Sequence, residues 1–414
     1  MHYEFHPWWA VITIVVVMGA VQGTCAYLIL LERKIAAWVQ DRIGPNRVGP
    51  FGLLQPIADG VKFLLKEDII PSHVDKLFFL IAPAIAVGTA TFAFAVVPFG
   101  PTTTPPPVKW AQTTAEAAEV QSPEKVQEVK DYNETYQAVI APHLDIGFLF
   151  LFAVSSLAVY GIILGGWSSN DKYSLMGALR SSAQIISYEI PMGLSILGAV
   201  ILSGSLNLER IINAQVIDAG GHGWNVVYQP LACLLFLVSI FAECNRLPFD
   251  LPEAEQELVG GYHTEYSAMK FALFFLGEYT HMITTSFLFV AVFFGGWQFP
   301  WIGEPGSPWV VKLIIFAVKM FLMIVFFMLV RWTIPRFRFD QLMGIAWKVL
   351  IPLALANLLV IMVVKQLAEA YGWSNWVVAP LLFGLSLLLI VAAGALALRP
   401  TAHPSQRVGM AQEV

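Results

Sequence analysis

Long apolar runs alternate with shorter polar segments along this chain, and the apolar runs dominate. Nine of them come near or reach the ~20 residues that carry a helix through hydrocarbon. They lie at about 8–31, 77–98, 146–166, 183–203, 230–245, 268–296, 311–331, 347–365 and 377–398. The fifth is the shortest and runs directly into an acidic loop. The pattern predicts an all-α fold, a polytopic membrane helix bundle of about nine transmembrane helices with structured cytoplasmic loops. Residues 1–398 are read as a single membrane domain and 399–414 as a cytoplasmic tail. The first run is longer than a signal-peptide core, lacks a basic leader segment and is followed by no A-x-A site. It reads as an uncleaved anchor with Met1 outside.

The polar segment 32–76 has a pattern of its own. Gly44-Pro45, Gly49-Pro50 and Gly52 set turns. Beyond them Leu54, Ile57, Val61, Leu64 and Leu65 share one helical face, and Gln55, Asp59, Lys62 and Lys66 share the other. A helix so polar on one side lies in the membrane interface rather than across it. Periodicity alone leaves two readings open: a helix packed on its neighbours, or the doorway of a cavity facing lipid.

Charge orients the bundle. With Met1 outside, loops 32–76, 167–182, 246–267 and 332–346 and the tail fall inside, with about 17 of the 24 Lys and Arg residues. That is the positive-inside bias. The net charge of −5 favours no nucleic-acid partner. The three cysteines, Cys25, Cys233 and Cys244, form no C-x-x-C, so neither an iron–sulfur cluster nor a zinc site is expected, and no disulfide within the bilayer. The external loop 99–145 opens with a proline-rich turn and then reads as a solvated helix. In loop 332–346, Arg331, Arg336 and Arg338 flank Asp340. That is an ordinary basic inner loop, or a docking site for an acidic partner or for the acidic loop.

The acidic loop 246–267 and the end of the span before it carry the densest candidate chemistry. Glu243, Asp250, Glu253, Glu255, Glu257 and Glu265 stand beside one base, Arg246. Pro248, Pro252 and Gly260-Gly261 interrupt any helix. A solvated loop and a folded loop lining a cavity both fit. Further charges fall inside spans: Glu189 in the fourth, Glu278 in the sixth with His281 one turn on, and Lys319 in the seventh. Charges at membrane depth face the bundle interior or a wet path, which points to proton or ion transfer. Glu278 and His281 form one E-x-x-H pair, but no second pair exists, so no metal is expected. No G-x-S-x-G elbow, P-loop or dinucleotide fingerprint appears, so the chain shows no means of holding a nicotinamide, a flavin or ATP.

Four segments closely resemble one family. ERKIAAWVQDRIGPNRVGPFGLLQPIADGVKFLLKED, GGWSSNDKYSLMGALRSSAQIISYEI, AECNRLPFDLPEAEQELVGGYHTEY and PRFRFDQLMGIAWK are similar to the quinone-site membrane subunit of proton-translocating NADH:quinone oxidoreductase, respiratory complex I. The resemblance runs from about Glu32 to Pro352, outside the external insert. It implies a subunit without a cofactor of its own, with quinone as substrate. FMN and iron–sulfur clusters are expected in partner subunits of the hydrophilic arm, alongside other membrane subunits and lipid. A bacterial inner membrane is the expected location.

By motif match, Arg33, Lys34, Arg42, Arg47, Asp59 and Phe63 fall at the quinone's way in from lipid. Arg246, Phe249, Asp250 and Arg331 line or brace the chamber. Glu253, Glu255, Glu257 and Glu265 are expected between chamber and membrane path, and Glu189, Glu243 and Glu278 along that path. One departure is Ala158, where some members carry Glu. Competing readings are the equivalent subunit of a membrane hydrogenase, a stand-alone ion transporter, and an anchor whose carboxylates sit in salt bridges.

Overall fold

The computed structural model describes residues 7–98, 127, 130–131, 140–141, 144, 146–216, 222–250, 258–299 and 307–397. Among them there are helices, turns and no strand. In chain order the helices are α1 (Pro7–Val39), α2 (Gln55–Leu65), α3 (Lys76–Phe92), α4 (Gly147–Ser168), α5 (Lys172–Ser203), α6 (Leu208–Asn213), α7 (Asn225–Tyr228), α8 (Pro230–Glu243), α9 (Ala268–Phe293), α10 (Trp309–Thr333), α11 (Phe339–Ile345), α12 (Ile351–Tyr371) and α13 (Asn375–Ala397). A π-helical turn, Ala346–Leu350, joins α11 to α12 without a break.

Eight of these units, counting α11–α12 as one, are long and apolar enough to cross a membrane among the described residues. The fifth of the nine expected runs is shorter than these eight. That run is the 14-residue α8, about 21 Å at 1.5 Å per residue, short of a ~30 Å hydrocarbon core. Its helix starts at Pro230, because Gln229 leaves helical geometry, and the single turn α7 precedes it.

Two helices extend beyond their apolar runs. No breaker follows Leu31 until Gly44, so α1 continues to Val39 and takes Glu32, Arg33 and Lys34 into the helix. Before the fourth apolar run, Asp171 accepts from the Tyr173 and Ser174 amides at 2.9 and 3.1 Å. That cap starts α5 at Lys172, eleven residues ahead of the hydropathy boundary at 183. Most of the predicted inner loop 167–182 is therefore helix.

The main core joins α1, α5, α8, α9 and α10 through Tyr188, Phe236, Phe287 and Phe327. A second cluster gathers α3, α4 and α9 with Phe79, Tyr262, Tyr266 and Phe274. Tyr266 stacks on Phe79 with ring centroids 4.0 Å apart. This seats the end of the acidic loop, Leu258–Ser267, against the bundle. Gly177 on α5 makes the seat possible: a Cβ there would lie 2.7 Å from the Gly261 Cα. The exposed residues of α1, α10 and α13 are largely apolar, as lipid or neighbouring membrane helices require. The expected external helix within 99–145 and the tail lie outside the described residues, apart from isolated positions.

Candidate functional site

The interfacial helix α2 is placed by a tight turn and by ionic contacts with α1. Gly52 has φ +78°, and a Cβ there would lie 2.2 Å from the Pro45 carbonyl oxygen, so only glycine closes this turn. Lys34 Nζ donates to the Phe51 carbonyl at 2.6 Å and pins the turn to α1. Arg33 Nη1 donates to Asp59 Oδ2 at 2.7 Å, and Gln55 Nε2 donates to Asp59 Oδ1 at 3.1 Å. Lys62 adds an ion pair to Asp59 at 3.5 Å. The polar face of α2 thus meets α1. Ile57, Leu64 and Leu65 stay exposed on the other face, suited to an interface.

Between α1, α2 and the first three turns of α9 lies a cavity of about 640 Å³. Its walls are mostly apolar: Ile29, Leu30, Phe63, Leu64, Phe271 and Phe275 among others. Arg33 and Asp59 stand at the α2 side, and Glu32, Tyr279 and Arg331 bring polar groups to the wall. Along α1, Cys25, Leu28, Glu32 and Ile35 share the buried stripe. The stripe takes Glu32 into the interior, where an ionised carboxylate must be paired.

It is paired three times over. Arg246 Nη1 donates to both Glu32 oxygens at 3.1 Å. Tyr279 Oη donates to Oε2 at 2.7 Å, and Arg331 Nη1 donates to Oε1. The Arg246 guanidinium also lies 4.3 Å from the centroid of the Tyr279 ring. Burial opposes the charge on Arg246, but Glu32, Tyr279 and Glu278 outweigh it and hold the guanidinium ionised, well above its ordinary range. Its Nε and Nη2 have no acceptor among the described residues. Motif matching did not single out Glu32 or Tyr279. The α1 periodicity contains the signal for Glu32, an acid in phase with Cys25 and Leu28.

Behind this knot, Glu278 accepts a hydrogen bond from Tyr262 Oη at 3.3 Å and is within electrostatic reach of Arg246. Glu243, at the end of α8, is buried, and its Oε2 has no donor among the described residues. Glu189 on α5 interacts electrostatically with Glu243 and accepts from Ser156 of α4. Cys244 lies within the fields of Glu243, Glu278 and Arg246. The three in-span carboxylates therefore lie on facing helices around one end of α8. Ala158 is buried in α4.

Several expected cavity residues take other places. Lys34 serves the turn. Arg42 and Arg47 are exposed in the loop that follows the end of α1 at Val39, and neither lines the cavity. Phe249 stacks on Phe337 at 5.6 Å, and its carbonyl accepts from Gln184 at 2.7 Å. Asp250 pairs with Arg336 at 3.2 Å. Phe249 and Asp250 thus tie the segment before α11 to α5 and do not line the cavity. Arg246 braces it through Glu32.

Glu265 is half-buried beside Tyr266. Glu253, Glu255 and Glu257 lie outside the described residues. Lys319 donates to the Phe294 and Gly296 carbonyls at 2.7 and 3.0 Å and to that of Gln298, and sits 4.7 Å from the Trp224 ring. It closes the end of α9 and does not face the acidic network.

At the start of α9, Lys270 Nζ pairs with both Asp68 oxygens at 2.7 and 2.8 Å. Burial pushes His263, in the seated end of the acidic loop, down to about 4. It packs edge-on to Tyr262, Phe271 and Phe275.

A family model for NADH dehydrogenase matches residues 12–362. Similar proteins include an NADH-quinone oxidoreductase subunit of Geobacter metallireducens, 49% identical over 84% of this chain and 93% of that protein. Another, from Cytophaga hutchinsonii and of the same description, is 47% identical over 81% of this chain and 90% of its own length. A third NADH-quinone oxidoreductase subunit, from Koribacter versatilis, is 45% identical over 85% and 95%.

Proposed function

The chain belongs to the NADH dehydrogenase family, and on that premise we propose that its cavity admits a quinone from lipid and that the carboxylates behind it couple quinone reduction to proton translocation. The chain is a multi-pass membrane subunit of the NADH–quinone oxidoreductase, and its enzymatic role is that of a part of the complex.

The cavity is the observation that carries the reading. Its ~640 Å³ falls within the few hundred to ~1,000 Å³ usual for small-molecule sites. Its walls suit a prenyl tail, its mouth adjoins an interfacial helix, and a polar knot stands on one wall. Arg33 and Asp59 hold α2 against α1 and set the width of the mouth. Phe63 and Phe275 give the tail aromatic contacts. Arg331, with guanidinium N–H groups beyond the one it gives Glu32, offers donors to a ring carbonyl oxygen as it passes toward the soluble arm.

Reduction of quinone to quinol takes two electrons and two protons. The electrons come from FMN and iron–sulfur centres in partner subunits. The resulting change of charge acts on the Glu32–Arg246–Arg331 knot. From Arg246 it reaches Glu278, and through the end of α8 it reaches Glu243 and Glu189. Glu253, Glu255, Glu257 and Glu265 link the ring-binding end to this series by changing protonation. The positive-inside bias of the Lys and Arg residues puts the knot at the cytoplasmic face of a bacterial inner membrane.

A photoactivatable quinone analogue with its reactive group on the tail tests the doorway. Label is expected on 26–36, 55–64 and 269–276 of the chain in the working complex. Label confined to other surfaces, with turnover intact, rejects this passage.

A further inference from the structure

At the opposite face of the bundle lies a second cavity, of about 550 Å³. It is bounded by the ends of α5 and α6, by α7, by the last turns of α12 and by the start of α13. Leu202, Tyr228 and Val378 give it apolar walls, and His222, Lys365 and Glu369 are among its polar ones. The family match ends at residue 362, before Lys365, Glu369 and the α13 wall of this cavity.

An ammonium group has three donors. Lys365 directs one to the Ile201 carbonyl and forms an ion pair with Glu369, one turn on, at 4.0 Å, which a headgroup carrying both charges can enter by exchanging partners with each side chain. Both side chains line the cavity. His222 is fixed by Asn225 at 2.7 Å. Burial, followed by Lys365, keeps its imidazole below the ordinary range against the pull of Asn225, so it is a neutral polar group here. The mouth therefore carries one positive and one negative side chain a helical turn apart.

Around it, at the junction of the two apolar helices α12 and α13, stand exposed aromatic residues of the kind that favour a bilayer's boundary with water. Tyr371 and Trp373 stack at 6.0 Å, and Tyr371 and Trp376 are 71% and 89% exposed. Below them the exposed face of α13, with Val377, Leu388 and Val391, is apolar.

We propose that this cavity binds the headgroup of a zwitterionic phospholipid, its phosphate on Lys365 and its ammonium on Glu369, with the acyl chains along α13. One charge of each sign selects a headgroup that carries both, and the aromatic rim with the apolar helix below it selects a lipid over a soluble phosphate.

The test uses the purified complex containing the full chain. Photoactivatable phosphatidylethanolamine and phosphatidylglycerol with identical acyl chains are added separately, and labelled peptides are mapped over 365–378. Phosphatidylethanolamine is expected to label this segment more strongly. Lys365→Gln lowers that label about tenfold, the loss of one charge-assisted contact. Glu369→Gln, at an exposed position that does not threaten folding, makes the two lipids label equally. Excess inorganic phosphate leaves the label in place. The proposal is overturned if phosphatidylglycerol labels as well in the unaltered protein, or if Lys365→Gln or Glu369→Gln changes nothing. Competition by inorganic phosphate also overturns it in favour of a free-anion site. Absence of label in the assembled complex overturns it in favour of a neighbouring protein occupying the cavity.

Discussion

Arg246 donates from a single nitrogen, Nη1, to both carboxylate oxygens of Glu32, each at 3.1 Å, across 214 positions of sequence. Removing one member of a buried ion pair leaves the other charged in a low-dielectric surrounding, at a cost of about 3–5 kcal/mol. Glu32→Gln is therefore expected to lower the thermal stability of the subunit strongly by leaving two guanidinium groups facing each other. Arg331→Gln is expected to cost less, because Arg331 is one-third exposed and Arg246 still neutralises Glu32. Melting of the detergent-solubilised complex checks the order; equal losses would mean the knot is not the stabilising unit.

Phe63 lines the proposed doorway, and a larger side chain in its place narrows it. Phe63→Trp is expected to raise the KM for long-tailed quinones about tenfold, the effect of overpacking by 1–2 kcal/mol, and to affect short-tailed analogues much less. Steady-state kinetics with both substrates decides it, and equal effects move the doorway elsewhere.

Glu243→Gln and Glu278→Gln keep shape and remove the titrating proton. Each is expected to lower NADH:quinone turnover and proton pumping by about tenfold or more, the range of a lost proton-transfer group. Assembled complexes with normal pumping in both variants would end the relay proposal.

Lys319 supplies the contrasting case. Lys319→Met removes three carbonyl contacts at the end of α9 and is expected to cost about 1.5–3 kcal/mol of stability. The number of protons moved per NADH oxidised should stay unchanged. A changed stoichiometry would put Lys319 on the proton path after all.

Acid sensitivity follows from His263, held neutral with its pKa lowered from 6.5 to about 4 by burial. The unfolded chain binds this proton first as pH falls. The histidine's contribution is therefore complete above 6.5 and is lost as pH drops toward about 4. His263→Phe should flatten that part of the stability-against-pH curve, measured by thermal melting. An unchanged slope assigns the acid lability to other groups.

The sequence by itself determined the bundle. Span number and position follow from local run length, because a helix in hydrocarbon satisfies its own backbone and needs only apolar side chains. The same local logic identified α2, whose two faces differ within eleven residues. It misjudged boundaries where caps or the lack of breakers carried helices past their apolar runs, at Asp171 and after Leu31. It also ran α8 past its end, because apolar length was counted through Cys244 and Asn245 into the turn.

Only the tertiary structure decided which charges meet. Glu32 looked like the start of a polar loop, yet it binds partners 214, 247 and 299 positions away. Lys319 looked equivalent to Glu278, yet its neighbours are carbonyl groups. A charge's meaning in a membrane depends on what faces it across the helices, and that pairing is set by how the helices pack together, which hydropathy does not encode.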